Sequence, residues 1–250
     1  MTRPSFRVLT VNAHKGFGFF NRRFILQELR EAVRAVGADV VFLQEVIGAH
    51  AQHALRFKDW PATPQYEYLA DAIWAEHAYG RNAVYPHGDH GNALLSRFPI
   101  QHFHNHDASF DGDEARGLLH CVLDVPDHTA PLHAICVHLG LRQLHRRQQL
   151  HRLCELIERD VPASAPLVVA GDFNDWRMEA HDRLLACAGL QEVFAAAHGR
   201  AAKTFPARWP VLRLDRIYVR NAQVCRPMVL PSRPWSHLSD HAPLAAEFEL

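Results

Sequence analysis

A recurring class of polar side chain ends or interrupts the apolar runs of this 250-residue chain. Its members are Asn12, Glu45, His138, Asp172, Asn174, Asp215, Asp240 and His241. Carboxylate oxygens are the hard ligands that Mg²⁺ prefers, and a carboxylate can also activate a water molecule. Histidine and asparagine can bind negative charge as it develops on a reacting group. A single Asp after a strand commonly marks only a turn, but the whole set predicts metal-assisted chemistry at a phosphate.

The densest part of this set is the stretch AGDFNDW at residues 170–176, which directly follows the apolar run PLVV. Because side chains alternate along a strand, Asp172 and Asn174 are expected to point the same way, toward one reacting phosphate. Phe173 is then expected to face the core. Asp175 falls out of phase and precedes a helical pattern, so we expect it to cap that helix.

The elements that position these side chains begin with a strand, a helix and a second strand. The run FRVLTVN ends at Asn12, and the run DVVFLQE ends at Glu45. Between them, RRFILQELREAVRAVG keeps apolar residues at helical spacing, with Asn21 as the predicted N-cap and Gly37 at the predicted end. Each strand therefore delivers a polar residue at its C-terminal end.

The middle and end of the chain alternate between strand-like and helical patterns. GNALLSRFPI, GLLHCVLDV and PLHAICVHL are strand-like runs with short connections, which favours antiparallel neighbours. After His138 a long helix is predicted, in which Leu141 and Leu144 share an apolar face with later leucines, and a second helix is predicted to end at Gly189. PLVVAGDF, LRLDRIYV and APLAAEFEL predict further strands. The alternation indicates an α/β fold in one domain over residues 1–250, with sheets packed face to face and helices outside.

Composition argues against several classes of protein. The formal net charge is zero and the pI is about 7.3, so the chain is not a polycation built to coat nucleic acid. No window approaches the roughly 18 apolar residues of a membrane span, and the first residues show no signal-peptide pattern. The cysteines are odd in number and form no CxxC pair, which predicts reduced, buried thiols in a cytoplasmic protein. They are Cys121, Cys136, Cys154, Cys187 and Cys225.

One histidine-rich stretch alternates in the same way as a strand. HFHNH places His102, His104 and His106 on one face of that strand. Such a face could trap a metal, but we expect it to be a solvated surface.

Taken in order, the motifs TVNAH, LQE, GNALLSR, RG, VHLG, GDFND, LDRI and SDHAPL resemble those of the endonuclease/exonuclease/phosphatase superfamily, which has the DNase I-like fold. The resemblance covers residues 8–248 and is most specific in GDFN, LDRI and SDH at these separations. It implies a four-layer αββα sandwich, in which two packed mixed β-sheets are flanked by helices. It also implies an active site at one edge of the sheets, and the chain looks like a compact bacterial branch of the superfamily.

The resemblance also implies a metal-binding group. Glu45 of LQE matches the family glutamate that binds the divalent metal, expected to be Mg²⁺, for which Mn²⁺ can substitute. Asn12 matches the family asparagine beside the metal and the attacked phosphate. Asp240 of SDH matches the metal-adjacent position, directly or through water. A sparse set of protein ligands is expected, because Mg²⁺ keeps several of its waters.

The reacting groups are implied in the same way. Asp172 matches the aspartate that orients or deprotonates the attacking water, and Asn174 matches the asparagine that holds a phosphate oxygen or that water. His241 resembles the family histidine at the phosphate, and Asp215 resembles the aspartate that pairs with it. Such a pair would fix the histidine tautomer and raise its pKa. The sequence leaves open whether Asp172 or His241 accepts the proton.

Further positions bear on the choice of substrate. His138 matches the histidine of the DNase I-like and sphingomyelinase-like branches, where abasic-site endonucleases usually carry tyrosine. Val46 follows Glu45, where the abasic-site branch commonly has a polar residue and then lysine. Both features argue against DNA base-excision repair. Arg116 resembles a phosphate-contacting arginine of several branches, and Asn92 is expected near the site, so both are predicted to bind substrate.

These implications leave the substrate open. A phosphodiesterase acting on nucleic acid is favoured by the arginine-rich helix after His138, although a solvated helix face explains the same arginines. A phospholipid headgroup or small phosphoester is the alternative, because the stretch HKGFGFFNRRF could rest on a bilayer surface, stack a base, or pack in the core. A non-catalytic binding protein is a remote third hypothesis, which the complete set of catalytic positions argues against. No obligate protein partner is indicated.

Overall fold

Two six-stranded mixed β-sheets pack face to face in the computed structural model, which describes residues 5–19 and 23–250. Helices pack on the outer faces of both sheets. The order of layers is therefore helix, sheet, sheet, helix. This arrangement confirms the predicted α/β class and the four-layer αββα sandwich.

The described elements include every strand and helix that the sequence pattern predicted. The strands are β1 (Ser5–Asn12), β2 (Val40–His50), β3 (Glu76–Tyr85), β4 (Gly88–Ser96), β5 (Ile100–Asp107), β6 (Gly117–Leu123), β7 (Leu132–His138), β8 (Leu167–Asp172), β9 (Gln191–Glu192), β10 (Asp215–Arg220), β11 (Gln223–Val229) and β12 (Leu244–Glu249). The helices are α1 (Leu26–Val36), α2 (Ala51–Arg56), α3 (Gln65–Ala70), α4 (Gln143–Asp160), α5 (Glu179–Ala188), α6 (Val193–His198) and α7 (Ser232–Leu238).

Both sheets are built around one parallel pair of strands. The first sheet has the order β11-β12-β1-β2-β4-β3, and β1 runs parallel to β2. The second has the order β5-β6-β7-β8-β10-β9, and β7 runs parallel to β8. Of the middle strands, β6 and β7 are antiparallel neighbours as predicted, whereas β4 lies in the other sheet beside β2 and β3. The ends of β7 and β8 meet as register partners, whereas β2 continues to His50, past the end of β1, so the prediction that this strand ends at Glu45 is wrong.

Three apolar clusters hold the layers together. The central cluster lies between the sheets and includes Phe42 from the first and Ile217 from the second. On the outer faces, α1 packs Leu29 against the first sheet and α4 packs Leu153 against the second. Burial of each such side chain contributes roughly 1.5–3 kcal/mol. These contacts fix which strand ends meet at the edge of the sandwich.

Helix α1 begins later than the sequence pattern predicted. Its first residue is Leu26, no side-chain hydrogen bond forms at its N-cap position, and the chain just before it forms an isolated β-bridge. The predicted N-cap, Asn21, lies outside the described residues together with Phe20 and Arg22. The predicted end is confirmed, because Gly37 follows the helix in a left-handed conformation with φ 66°.

Helix α4 confirms a helix after His138, and it buries the later part of the predicted apolar face, Leu150 and Leu153 among it, but not its first two residues. Leu141 precedes the helix and Leu144 lies in its first turn, and they are 67% and 65% exposed. Arg146 and Gln149 point inward instead, because their side chains bond backbone carbonyl and amide groups in the loop after β7. Apolar spacing alone does not predict a polar side chain that is buried to satisfy the backbone.

The prediction that all the cysteines are reduced, buried thiols is wrong for three of them. Cys154 in α4 and Cys187 in α5 form a disulfide with a Cα–Cα distance of 6.0 Å, and Cys225 is exposed. Cys121 and Cys136 are buried thiols as predicted. The disulfide partners are 33 residues apart and meet only because α4 packs against α5, so their spacing in the sequence carried no signal.

None of the helices described over residues 5–19 and 23–250 is both long and apolar enough to cross a bilayer.

Candidate active site

The parallel pairing in both sheets stops at one edge of the sandwich. Asn12 is the last residue of β1, and its register partner on β2 is Gln44, which immediately precedes Glu45. His138 and Asp172 end β7 and β8 and are register partners of each other. The imidazole of His138 lies close enough to the carboxyl of Glu45 for a charge on one to affect the other. The ends of the two pairs, one from each sheet, therefore adjoin.

The other predicted side chains come from antiparallel neighbours of these pairs. Asp215 is the first residue of β10 and the register partner of Asp172. Asp240 and His241 lie in the segment that leads into β12, which pairs with β1. The carboxylates and imidazoles of the predicted set are thus all placed at the same end of the two sheets.

A β-bulge aims Glu45 into this edge. The pairing of β2 with β4 shifts between Leu43 and Val46, so that Gln44 and Glu45 together oppose the single residue Asn92. Glu45 has a φ of 54°, in the left-handed region that non-glycine residues rarely adopt. Backbone strain of this kind clusters at functional sites. The bulge buries Gln44 and leaves Glu45 partly exposed at the edge.

Glu45 and Asn12 are bonded to each other. Nδ2 of Asn12 donates to Oε1 of Glu45 over 3.2 Å, and Nζ of Lys15 lies 3.9 Å from Oε2. Burial opposes the charge on Glu45, but the positive charge of Lys15 and the hydrogen bond from Asn12 favour it, and the pKa of the carboxyl lies below its usual value. Glu45 is therefore ionised at neutral pH, as a ligand of a hard cation must be.

Asp240 completes a donor set that fits a divalent cation. Among the described residues, its buried Oδ1 finds no hydrogen-bond partner, while its Oδ2 lies 3.8 Å from Nε2 of His14. A buried carboxylate oxygen without a partner is costly, and a cation would satisfy it. Together with the oxygens of Glu45 and Asn12, it makes the small set of hard oxygen ligands typical of Mg²⁺.

Ser239, which was not among the predicted site residues, connects the end of β1 to the segment that carries Asp240 and His241. Its Oγ donates to the carbonyl of Asn12 over 2.8 Å and accepts from the backbone N–H of His241 over 3.0 Å. The side chain is fully buried. Its place in the SDH motif was the available signal, because the serine directly precedes Asp240 and His241 and so fixes both relative to β1.

His241 lies between two carboxylates. Its Nδ1 is 2.8 Å from Oδ2 of Asp215, and its Nε2 is 3.9 Å from Oδ2 of Asp172. Burial disfavours a charge on this imidazole, but the two carboxylates outweigh burial and raise its pKa well above the usual value. The structure thus brings Asp215 and His241 together as predicted, with a cationic imidazole at neutral pH.

Asp172 is buried at the end of β8, where its carboxylate meets two imidazoles. Its Oδ2 is 3.6 Å from Nε2 of His138 and 3.9 Å from Nε2 of His241, while its Oδ1 accepts the backbone N–H of Asn174 over 2.8 Å. Burial raises the pKa of this carboxyl, although the positive charge of His241 acts in the opposite direction. A carboxyl whose pKa moves toward neutral pH suits a general base.

A glycine allows Asp172 to take this position. Gly171 has a φ of 145°, and a Cβ atom there would lie 1.9 Å from the carbonyl oxygen of Val137 on β7. Any side chain at Gly171 would push β8 away from β7 and would separate Asp172 from His138. The glycine of GDFN is therefore required by the close approach of the two strands.

Asn174 reaches the site by a different route from the strand alternation that was predicted. Strand β8 ends at Asp172, and Asn174 has a left-handed φ of 49°. Its Nδ2 donates to the carbonyl of Leu139 over 2.9 Å. Phe173 is fully buried, as predicted. Asn174 therefore connects the carboxylate of Asp172 to the loop that follows β7.

Asp175 caps α5, but not from the N-cap position that was predicted. That position is occupied by Met178, whose side chain makes no capping bond. Oδ2 of Asp175 instead accepts the backbone N–H of Ala180 over 2.8 Å, and Arg216 donates to the carbonyl of Asp175 over 3.0 Å. Asp175 is buried and holds the start of the helix in place.

A buried arginine adds positive charge around His138. Burial and the charge of Arg116 together lower the pKa of His138 to about 3, so this imidazole is neutral at pH 7. Arg116 is 9% exposed and donates to Oε2 of Glu114 over 2.6 Å, and Oε1 of Glu114 lies 2.8 Å from Nε2 of His90. Glu114 and His90 belong to no recognised motif, so their place here could not be predicted from the sequence.

Asn92 lies beneath the site rather than on its surface. It is fully buried, and its Nδ2 donates to the carbonyl of Gly117 over 3.0 Å and lies 3.4 Å from the carbonyl of Cys136. Gln44 also crosses between the sheets, donating to Sγ of Cys136 over 3.3 Å. These bonds hold the two sheets in register where the site is built.

The arginines of α4 and the turn before it already have protein partners. Arg142, Arg146, Arg147 and Arg152 each contact a carboxylate or a backbone carbonyl. Arg146 is buried. The helix therefore offers no row of unpaired arginines to a nucleic acid, and it does not support the first substrate hypothesis.

The described part of the aromatic stretch packs in a ring cluster. The ring centroid of Phe17 is 5.5 Å from that of Phe24 and 5.3 Å from that of Phe57, and the centroids of Phe24 and Trp60 are 4.8 Å apart. Arg208 lies over the ring of Phe19, 5.4 Å from its centroid. The rings of Phe17 and Phe24 therefore pack within the protein, which favours the interpretation that they belong to the core and not to a membrane contact.

Cationic and aromatic side chains surround an opening beside Glu45. A cavity of about 550 Å³ is lined by His14, Lys15, Phe17, Glu45, His53, Arg56 and Phe57.

Two exposed tryptophan rings also lie near this edge of the sandwich. Trp176 is 45% exposed and follows Asp175, while Trp209 is 76% exposed in a loop whose Ala207 N–H donates to the carbonyl of Asp240.

Comparison with known sequences agrees with this architecture. A sequence model described as the Endonuclease/Exonuclease/phosphatase family matches residues 10–241. The Escherichia coli (strain K12) protein YbhP is 58% identical over 246 residues, which cover 98% of this chain and 97% of YbhP.

Comparison with solved structures shows the same fold. An endonuclease/exonuclease/phosphatase from Beutenbergia cavernae has a TM-score of 0.77 at 20% identity, covering 100% of this chain and 72% of that chain. D. rerio TDP2, complexed with a single-strand DNA product, has a TM-score of 0.73 at 17% identity, covering 98% of this chain and 99% of that chain. The Bacteroides thetaiotaomicron mannosyl-6-phosphatase Bt3783 has a TM-score of 0.72 at 17% identity, covering 98% and 100%.

Proposed function

The chain belongs to the endonuclease/exonuclease/phosphatase family, and we propose that it is a divalent-metal-dependent phosphodiesterase that cleaves its substrate with an activated water. The observation that carries this proposal is a continuous row of side chains beside the carboxylate of Glu45. The row runs Asp215, His241, Asp172, His138, and its successive distances are 2.8, 3.9 and 3.6 Å. Such a row supplies a base, a cation and a neutral hydrogen-bonding group within reach of one phosphate.

We assign Glu45, Asn12 and Asp240 to the metal, which is Mg²⁺ in this proposal, with Mn²⁺ able to replace it. Support comes from the ionised carboxylate of Glu45 and from the unpartnered oxygen of Asp240. When bound, a divalent cation polarises a phosphoryl oxygen and offsets the charge that develops there. Lys15 would add a further positive charge beside Glu45.

Asp172 is assigned as the group that orients and deprotonates the water, and His241 as the cation that stabilises the transition state. Asp215 keeps His241 protonated, which leaves that imidazole without a lone pair to accept a proton. Asp172 has the raised pKa that a base needs, and Asn174 fixes one of its oxygens. His138 is neutral and can offer a hydrogen bond without adding charge.

Arg116 and Asn92 have different places in this proposal. The charge of Arg116 acts on His138, and its contact with substrate stays a prediction. The amide nitrogen of Asn92 is committed to a backbone carbonyl of the other sheet. We therefore assign Asn92 to the frame of the site.

For the substrate, we favour a nucleic-acid phosphodiester. Support comes from the exposed rings of Trp176 and Trp209, because aromatic faces beside a phosphodiester site can stack on bases. The cavity beside Glu45, which combines Lys15 and Arg56 with aromatic rings, has the same character. The fold shared with a TDP2 structure that holds a single-strand DNA product is compatible with this choice.

A phospholipid headgroup or a small phosphoester is the second candidate. It is favoured by the fold shared with a mannosyl-6-phosphatase and by the zero formal net charge, which provides no broad positive field for a polyanion. A non-catalytic role is disfavoured, because each predicted catalytic side chain is present at the edge. No obligate protein partner enters the proposal.

A substrate panel tests the proposal directly. Purified protein is incubated with a chromogenic diester, single-stranded and supercoiled DNA, RNA, an abasic-site duplex, sphingomyelin and inositol phosphates, each with Mg²⁺, Mn²⁺ or excess EDTA. We expect metal-dependent hydrolysis of the chromogenic diester and of a nucleic acid, abolished by EDTA and in Asp172→Asn. Full activity in excess chelator would reject the metal, and turnover of sphingomyelin or inositol phosphates alone would select the second candidate.

Cytoplasmic location also stays a prediction. The Cys154–Cys187 disulfide removes the argument from reduced thiols, because disulfides are typical of oxidising compartments. Fractionation of cells that express the full chain tests it, and recovery in a compartment other than the cytoplasm would contradict it.

A further inference from the structure

A second group of metal-ligating side chains lies on the outer face of the second sheet. His106 on β5, His120 on β6 and Asp160 at the end of α4 present ligand atoms that all lie within 4.8 Å of one another. His133, which contacts His120, is five residues before His138 on β7, so roughly 16 Å of strand separates this group from the candidate active site.

We propose that His106, His120 and Asp160 bind one Zn²⁺ ion. Two imidazoles and one carboxylate form a mixed nitrogen and oxygen set that suits zinc, whereas magnesium prefers oxygen ligands alone. Three protein ligands leave the fourth tetrahedral position open to water. The protein would then hold two different metals in two chemically distinct sites.

The geometry around His106 supports a missing ligand partner. Its Nε2 is buried and has no hydrogen-bond partner among the described residues, and it lies 3.8 Å from Oδ2 of Asp160. That distance is too long for a hydrogen bond, and unpartnered buried polar atoms are uncommon. A cation between the two atoms would give Nε2 of His106 the partner that it lacks.

Only small side-chain movements are needed to close the site. Tetrahedral zinc with bonds of about 2.0–2.2 Å separates its ligand atoms by roughly 3.3 Å. The atoms now lie within 4.8 Å of one another, so each pair must approach by about 1.5 Å or less. Rotation of partly buried side chains at a helix end and on an edge strand allows this.

His133 acts on this site as a positioning residue. Its Nδ1 lies 2.9 Å from Nε2 of His120, and the two rings stack with centroids 5.1 Å apart. Metal-bound histidines are usually held by such a partner at one ring nitrogen, which fixes the ring orientation. Asp160 also accepts two hydrogen bonds from the exposed Arg159, over 2.8 and 2.7 Å, so zinc would share this carboxylate with the arginine or displace it.

Zinc at this position would join the last turn of α4 to two strands of the sheet. Because α4 begins just after His138, the ion would stabilise the far end of the helix whose start adjoins the active site. An ion that binds only the folded chain raises its stability by mass action. The site is therefore structural in this proposal and is not needed for hydrolysis.

The test is zinc binding by full-length protein stripped with chelator and then freed of it. Isothermal titration with Zn²⁺ is followed by thermal melting with and without one equivalent. His106→Gln removes the half-buried ligand. His104→Gln is the matched control, because it makes the same change two residues earlier on the same strand face, at an exposed position. Glu45→Gln reports zinc that binds in the active site instead.

We expect one equivalent to bind the parent, His104→Gln and Glu45→Gln, and to raise their melting temperatures. His106→Gln should bind at least tenfold more weakly and show no rise, while its circular dichroism and its Mg²⁺-dependent activity stay unchanged. Equal binding by His106→Gln, loss of binding in Glu45→Gln, or no binding by the parent would each overturn the proposal. Because the outcomes that decide the proposal are measurements of zinc binding, failure of the proposed function leaves this test intact.

Discussion

Oδ2 of Asp215 lies 2.8 Å from Nδ1 of His241, so the carboxylate and the imidazole form one buried hydrogen-bonded unit. The unit fixes the proton on Nδ1 and turns Nε2 toward Asp172. Its chemical consequence is that the imidazole is cationic, because the adjacent negative charge favours the protonated form.

Asp215→Asn tests this relationship. Removing the negative charge lowers the pKa of His241, so the alkaline limb of the kcat–pH profile should move to lower pH. We also expect kcat to fall by roughly 10²–10⁴-fold, the usual contribution of a positioned proton-transfer group. Rates on a chromogenic diester across neutral and alkaline pH provide the measurement. An unmoved alkaline limb would show that the imidazole is neutral in the working enzyme.

Asp172→Asn should separate activity from stability. The variant loses the base, so kcat should fall by orders of magnitude. Burial raises the pKa of Asp172 above its ordinary 3.8. As the pH rises from 3.8 toward the raised pKa, the carboxyl ionises in the unfolded chain before it does so in the folded protein. The parent therefore loses free energy of unfolding over this pH range. The asparagine does not ionise, so the variant should be at least as stable as the parent at pH 8. Urea unfolding at pH 5 and pH 8 measures this, and a variant less stable at pH 8 than at pH 5 relative to the parent would contradict it.

Glu45→Gln should weaken Mg²⁺ or Mn²⁺ binding. The loss should exceed the roughly 10–100-fold that removal of an outer-shell partner costs, because a ligand itself is lost. Titration calorimetry gives the affinity, and Glu28→Gln in α1, which pairs with Arg23 at the surface, is the control. An unchanged titration would remove Glu45 from the ligand set.

Asp175→Ala should reduce stability without reducing hydrolysis. The variant leaves the N–H of Ala180 without its acceptor, and loss of a helix cap costs about 0.5–2 kcal/mol. Asp182→Ala, in the same helix but exposed, should change the free energy of unfolding by less than about 0.5 kcal/mol. If kcat collapsed in Asp175→Ala while its unfolding curve matched the parent, Asp175 would belong to the reacting groups.

Trp176→Ala distinguishes the two substrate candidates. Stacking on one base is worth about 1–3 kcal/mol, so KM for single-stranded DNA should rise accordingly while kinetics on a chromogenic diester stay the same. Leu185→Ala, which trims an exposed apolar side chain on the helix α5 that follows Trp176, is the control. Equal effects on both substrates would argue against a stacked base.

Much of the site could be predicted because its residues end apolar strands. Asn12, His138 and Asp172 are the last residues of β1, β7 and β8, where strand patterning and motif coincide. The expectation of a single domain stays a prediction. The predicted roles of the individual side chains also await the experiments above.

What could not be predicted depends on tertiary contacts. The positive φ angles of Glu45 and Asn174 arise from a bulge opposite β4 and from bonds to neighbouring loops. Arg146 points inward because its side chain donates to the carbonyl of Leu141 in the loop after β7. The Cys154–Cys187 bond requires two helices to dock first. Local propensity contains none of this information.

The two sheets contribute different chemical groups to the candidate active site. Asn12 and Glu45 belong to the first sheet, and His138 and Asp172 belong to the second, so neither sheet alone contains both the metal ligands and the base. Contacts between such distant parts of a chain form late and slowly during folding. The rate at which hydrolysis recovers after dilution from denaturant would thus report the rate at which one sheet docks on the other. We expect this recovery to be slower than the return of secondary structure.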